Sequence, residues 1–125
     1  MEFYIYHYSK CKKSRAGLEY LRENKIDPVI ISYIEEGVSP ENLKELFSML
    51  KTKPSEMVRK QEDYYKDELK YKDISEEEWL KILSDYPKLI RRPIIIYGKD
   101  SVIGDPPQNI NQLLTAYKHD HENKN

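Results

Sequence analysis

The hydrophobic pattern changes period several times along the chain. Residues 2–6 read EFYIY, a run rich in β-formers that predicts a short strand. HYSKC follows as a tight loop. SRAGLEYLREN then sets Leu18 and Leu21 three apart on one face and predicts a helix. Ile26, Asp27 and Pro28 close that unit, and VIISYI is a continuous apolar run of strand type. The chain therefore opens β-α-β, with Cys11 where the first strand meets the first helix. The helix is long enough for a parallel crossover.

The middle of the chain has a helical period. Ser39 with Pro40 marks a helix start, and Leu43, Leu46, Phe47 and Leu50 follow at helical spacing. Lys53, Pro54 and Ser55 break that run. EMVRKQEDYYKDEL and SEEEWLKILSDY are also read as helical. In the second, Ser75 and Glu78 fit a capping box ahead of Trp79, Ile82 and Leu83. Residues 37–86 thus form a helical block that Pro87 ends.

Strand patterning returns with PIIIYG and, after a turn at Gly98, Lys99 and Asp100, with DSVIG. Asp105, Pro106 and Pro107 make a rigid turn. Asn109 is a candidate cap for a last helix, NINQLLTAY. The tail from 118, KHDHENKN, is polar and expected to be disordered. The order is β-α-β, helical block, β-β-α. By analogy of topology this predicts an α/β, thioredoxin-like domain over residues 1–117, with a helical insertion between its two halves.

Composition narrows the function classes. The chain has 125 residues, enough for one domain with one core. Its formal net charge is −1, so no global charge points to nucleic acid or to an anionic membrane, and any electrostatic function must come from local patches. One cysteine excludes an intramolecular disulfide and a multi-cysteine zinc site. His119 and His121 lie in the polar tail and read as part of it rather than as a metal site. The N-terminus lacks a signal-peptide pattern, and no run of about 18 apolar residues spans a bilayer. The expectation is a cytoplasmic protein with a reduced thiol. The eleven tyrosines are scattered, so they are assigned to packing and surface.

Cys11 carries the most specific chemistry. A thiol attacks as its thiolate, so a catalytic cysteine needs a depressed pKa. Cys11 stands at a helix start, where free backbone N–H groups and the positive end of the helix dipole gather. Lys10, Lys12, Lys13 and Arg15 add cations, the lysines modestly because they are solvated. A lone cysteine is more often a small buried apolar side chain. Three lysines within two residues make full burial of this segment a poor fit. In C-K-K-S the fourth residue is Ser14, which can donate a hydrogen bond but cannot close a disulfide. Cys11 therefore needs an external thiol to complete a cycle.

Arginines supply the complementary charge. Arg59 lies in MVRKQE, and Arg91 and Arg92 precede Pro93 at the head of a strand. Guanidinium forks match paired oxygens of an oxyanion. A lone arginine is usually a surface charge, so the case depends on convergence. In an extended segment Arg91 and Arg92 point to opposite sides. Pro93 is a candidate cis proline, the alternative being a trans proline opening the strand.

With these residues in view, the chain resembles the glutaredoxin-dependent arsenate reductase (ArsC) family, the thioredoxin-like group that also contains the regulator Spx. The resemblance covers about residues 2–117. It is carried by YHYSKCKKSRAGLEYLRE, SYIEEGVSPENLKELF, MVRKQEDYYK, YPKLIRRPIII and VIGDPPQNI. It implies Cys11 as the nucleophile that attacks arsenate. It also implies His7, Ser14 and Arg15 as residues supporting the thiolate, Arg59 and Arg92 as oxyanion ligands, and Pro93 as the cis proline of the fold. No bound cofactor or metal is implied. Glutathione is the implied external reductant, and glutathione and glutaredoxin the implied partners, with neither nucleic acid nor membrane.

Two positions depart from the family pattern. The loop reads H-Y-S-K-C where the family has H-N-P-x-C. In GDPPQ, Asp105 stands where the family places a third oxyanion-binding arginine. A carboxylate ~5 Å from a bound dianion opposes it by on the order of a few kcal/mol at an effective dielectric of ~20. Alternatively, Asp105 pairs with Arg92 and fills the anion's place. Either outcome weakens arsenate binding. The competing readings are a glutathione-linked thiol oxidoreductase with another substrate and a Spx-like regulator that binds RNA polymerase. The missing second cysteine counts against the regulator's usual CxxC switch.

Overall fold

The computed structural model describes residues 1–122, and they divide into two compact units. Residues 1–32 and 92–122 build a sheet unit, and Tyr33–Arg91 builds a helical unit.

In the sheet unit, β1 (Phe3–Tyr6) leads to α1 (Lys12–Glu23) and then to β2 (Val29–Ile31). Strand β1 lies in the middle of the sheet. It pairs in parallel with β2, Tyr4 opposite Val29, as the predicted crossover requires. Its other edge pairs antiparallel with β3 (Ile94–Tyr97), Ile5 opposite Ile95. Strand β4 (Asp100–Ile103) closes the sheet as a hairpin with β3, in the order β2-β1-β3-β4. Gly98, at φ +62°, provides the left-handed residue of the two-residue hairpin turn. One face of the sheet buries Phe3, Ile5 and Ile95 against Leu21 of α1 and Leu113 and Leu114 of α5 (Asn111–Glu122). The alternation in EFYIY caused this: Phe3 and Ile5 turn inward, and Tyr4 stays exposed.

The last helix differs from the sequence expectation at both ends. A 3-10 turn over Pro107–Ile110 precedes it, and α5 starts at Asn111. Asn109 does not cap it. Its side-chain amide donates instead to the carbonyls of Ile103 and Asp105, at 3.1 and 3.2 Å. The helix runs on through Glu122, so residues 118–122 of the expected disordered tail are helical. Residues 123–125 lie outside the described residues. Tyr97 explains part of the extension, because its hydroxyl donates to Asp120 at 2.7 Å and ties that turn to the sheet.

The helical unit starts at Tyr33, four residues before the expected boundary. VIISYI does not continue as a strand. The apolar run is cut after Ile31, and Tyr33–Glu36 form the short α2. Helix α3 (Pro40–Leu50) is capped by Ser39, whose Oγ accepts from the Asn42 N–H at 3.1 Å. Helix α4 (Glu76–Asp85) carries the predicted capping box, with Ser75 Oγ accepting from the Glu78 N–H at 3.1 Å. Leu43, Leu46 and Phe47 of α3 and Trp79 and Leu83 of α4 are buried. The segment EMVRKQEDYYKDEL is less helical than its composition suggests. A 3-10 turn covers Pro54–Met57, Val58 bridges to Ile90, and helical backbone resumes only at Asp63 and Tyr64, continuing as a π turn over Tyr65–Leu69. The bridge to Ile90 holds Val58 extended, which stops a helix from passing through Arg59.

Candidate active site

The site lies where β1 hands the chain to α1. Cys11 is the N-cap of α1, with extended backbone at φ −101° and ψ 125°. It is half-buried, and its thiol is in no disulfide. Three groups converge on its sulfur: the backbone N–H of Ser14, the backbone N–H of Lys13 and the Arg92 guanidinium. Burial by itself raises the pKa of the thiol. The Ser14 N–H, then Arg92 by hydrogen bond and charge, then the Lys13 N–H outweigh it and draw Cys11 from 9.0 down to about 7. About half of Cys11 is therefore thiolate near neutral pH. The lysine side chains contribute less than the helix start, as the sequence suggested.

Arg92 is the second element of the site. It is 7% exposed, so its charge acts in a poorly screened setting. Its guanidinium lies 5.1 Å from the centroid of the Tyr8 ring, a cation–π contact that fixes its direction. The Arg92–Pro93 peptide bond is cis, as is Asp105–Pro106. Arg91 faces elsewhere, its guanidinium donating to the Glu56 carbonyl at 3.4 Å.

Pro93 joins the two halves of the sheet unit. Its carbonyl accepts from the Gly104 N–H at 2.8 Å. It also packs on α1 at Gly17, where a Cβ would come within 2.7 Å of Pro93 Cγ. The missing side chain at Gly17 lets the helix that bears Cys11 approach the loop that bears Arg92.

Of the three residues expected to support the thiolate, Ser14 reaches the sulfur through its backbone N–H. The Ser14 hydroxyl is buried with no hydrogen-bond partner, so the expectation that it donates to the thiolate is not met, and the Ser14 N–H takes that part. His7 is buried. Burial, the nearby Arg22 and, less, Arg15 hold its pKa below 6.5 against an opposing backbone hydrogen bond to Ser14. The imidazole thus meets the residue that faces the sulfur rather than the sulfur itself. Arg15 braces the loop, donating to the Ser9 carbonyl at 2.8 Å.

Asp105 follows neither expectation fully. Its partner is Lys13, with Oδ2 2.9 Å from Nζ, while Arg92 turns to Cys11 and Tyr8. The carboxylate is therefore part of the neighbourhood of Cys11 and neutralises one of its flanking cations. Arg59 belongs to the helical unit. There its N–H donates to the Leu89 carbonyl at 2.7 Å, and its largely buried guanidinium lies 3.9 Å from Glu62. Three partners escaped the sequence reading: Tyr8 under Arg92, Lys13 on Asp105, and Gly17 against Pro93. Only Gly17, a glycine inside a helical pattern, left a local signal.

Among the described residues, no group of three His, Cys, Asp or Glu side chains is placed to hold a metal ion, and no helix is long and apolar enough to cross a membrane.

Comparison with known proteins supplies the family. The chain is 34% identical over 112 residues to the uncharacterized protein YfgD of Escherichia coli, covering 88% of this chain and 94% of that one. It is 34% identical over 116 residues to an arsenate reductase of Haemophilus influenzae, covering 91% and 100%. A solved arsenate reductase from Vibrio cholerae superposes with a TM-score of 0.83 at 34% identity, over 90% of this chain and 97% of that one. The fold is accordingly the α/β, thioredoxin-like one expected. The profile of the ArsC family matches residues 6–113, which include Cys11, Arg59, Arg92 and Asp105, and the chain belongs to the ArsC family.

Proposed function

We propose that this chain is a thiol-dependent oxyanion reductase of the arsenate reductase type, acting as one ArsC-type domain with Cys11 as its nucleophile. One observation carries the reading. The Cys11 sulfur sits at the head of α1 under two backbone N–H groups and a buried guanidinium, with its pKa near 7. The same donors that favour a thiolate favour an oxyanion beside it.

In this reading the Cys11 thiolate attacks arsenic(V), and one arsenate oxygen leaves as water. Glutathione adds its sulfur to arsenic and releases a second water. A glutaredoxin thiolate then takes the glutathionyl sulfur as a mixed disulfide. The electron pair of the broken As–S bond stays on arsenic, which becomes arsenic(III), and hydrolysis frees arsenite from Cys11. Arg92 is the oxyanion ligand beside the thiol. Arg59 is assigned the same role on the family correspondence. His7, Ser14 and Arg15 position the loop and the N–H donors.

The test is steady-state arsenate reduction with glutathione and a glutaredoxin. The expected result is turnover in the wild type that Cys11→Ser abolishes and that Arg92→Ala and Arg59→Ala reduce. Equal rates in wild type and Cys11→Ser would overturn the proposal. The Lys13–Asp105 pair favours a second substrate class, since a carboxylate near the thiol suits a less charged acceptor such as a glutathionylated disulfide. Cys11-dependent deglutathionylation without arsenate turnover would select that class.

A further inference from the structure

Tyr8 stands beside the site, and the thiol chemistry assigned there gives its side chain no part. Its backbone opens the turn that presents the nucleophile. The Cys11 N–H donates to the Tyr8 carbonyl at 2.9 Å and closes residues 8–11 into one tight turn before α1. On one side, the His7 N–H donates to the Ile31 carbonyl at 3.0 Å and ties the loop to β2. On the other, the Arg15 guanidinium of α1 donates to the Ser9 carbonyl at 2.8 Å. The half-buried Tyr8 therefore springs from backbone that is pinned on both sides and fixed relative to Cys11.

The ring at that position meets Arg92. The guanidinium carbon lies over it, 5.1 Å from the centroid, within reach of a cation–π attraction. Arg92 is buried, so water competes weakly and the attraction is stronger than on an open surface. Arg92 in turn hydrogen-bonds the Cys11 sulfur. Tyr8, Arg92 and Cys11 thus form a chain of contacts whose first and last members belong to the same turn. Charge explains why a ring suits this place. Arginine is long and flexible, so a contact must select the rotamer that meets the sulfur. Carboxylates stand 2.9 Å from Lys13, 3.9 Å from Arg22 and 3.9 Å from Arg59, and each offsets the charge that it holds. A neutral ring attracts a cation through its quadrupole and leaves the positive charge to act on a thiolate.

We infer that Tyr8 is a positioning residue, whose ring, and not its hydroxyl, holds the Arg92 guanidinium on the Cys11 sulfur. The inference deepens the proposed function, which it rests on for the second task of Arg92 as oxyanion ligand. The hold itself is a property of the free enzyme. It makes the reactivity of Cys11 depend on a side chain that never touches the sulfur.

The test is the pH profile of Cys11 alkylation by iodoacetamide in the full chain. Tyr8→Phe keeps a ring and is expected to keep the wild-type midpoint. Tyr8→Leu removes the ring. Its midpoint should rise by about half a pH unit or more, toward the ordinary thiol value of about 8.5, so that the thiolate fraction at pH 7 falls about twofold. In an Arg92→Ala background, Tyr8→Leu should add no further shift, because the two changes act through one contact. His7, Lys13, Arg15 and Asp105 are the same in every variant, so the comparison isolates Tyr8 and Arg92. Pentafluorophenylalanine at position 8 nearly keeps the ring's shape while its fluorines withdraw charge from the ring face. It should raise the midpoint as leucine does, and it decides the question if Tyr8→Leu does not fold. A wild-type midpoint in the ring-free or fluorinated protein would overturn the inference. So would a raised midpoint in Tyr8→Phe, which would give the role to the hydroxyl. An equal rise with and without Arg92 would give it to the turn. These outcomes are read without turnover, so a chain that fails to reduce arsenate leaves them standing.

Discussion

Lys13 Nζ lies 2.9 Å from Asp105 Oδ2, so a carboxylate is held beside the helix start that activates Cys11. Both side chains are substantially exposed, 49% and 37%, so the pair adds little to folding. On the proposed function, its weight is electrostatic and falls on the substrate. Asp105→Arg removes one negative charge and adds a positive one next to the oxyanion. We expect the KM for arsenate to fall by about tenfold or more, and unfolding free energy to change by less than about 1 kcal/mol. Arsenate titrations and urea melts of the two proteins check both. An unchanged KM would show that Asp105 does not limit substrate binding.

The ionisation of Cys11 gives a second prediction. The rate of iodoacetamide alkylation should rise with pH, half-maximal near pH 7, since only the thiolate reacts. Arg92→Ala removes a hydrogen bond and a charge that favour the thiolate, so the midpoint must move up, toward the ordinary thiol value of about 8.5. A midpoint that stays put in Arg92→Ala would mean that the guanidinium does not act on the sulfur.

His7 makes a prediction about stability. Its folded pKa lies below 6.5, chiefly because it is buried, and secondly because of Arg22. The unfolded chain therefore binds the extra proton more readily than the folded one. Stability from this source is intact above about pH 6.5 and is lost as pH falls toward the folded pKa. Urea denaturation at pH 7.5 and 5.5 should show wild type weaker at 5.5. His7→Gln should narrow that difference. An equal difference in the variant would remove His7 from the pH response.

Gly17 tests the packing of α1 on the loop at Pro93. In an open helix, Gly→Ala stabilises by roughly 0.5–1 kcal/mol. Here the new methyl would meet Pro93 Cγ at 2.7 Å, on a ring that cannot swing away. We expect Gly17→Ala to destabilise by about 1–3 kcal/mol instead, and to slow Cys11 alkylation at pH 7 by shifting Arg92. A more stable Gly17→Ala protein would sink this account.

The elements were legible where local physics decides them. The β-formers of EFYIY, Ser39 with Pro40, and Ser75 with Glu78 are signals within a few residues, and each formed the element read from it. Cys11 at a helix start was legible for the same reason. Local reading failed where a distant strand intervened. Val58 is held extended by Ile90, some thirty residues away, and Tyr97 extends α5 through Asp120. The side-chain pairs of the site were equally out of reach. The sequence alone determined that a cysteine would meet free N–H groups, because a helix N-terminus always presents them. Only the tertiary structure decided that Arg92 would turn to the sulfur and that Asp105 would hold Lys13. Those choices depend on how β3, the loop after β4 and α1 meet, and no spacing along the chain encodes a contact between segments eighty or more residues apart.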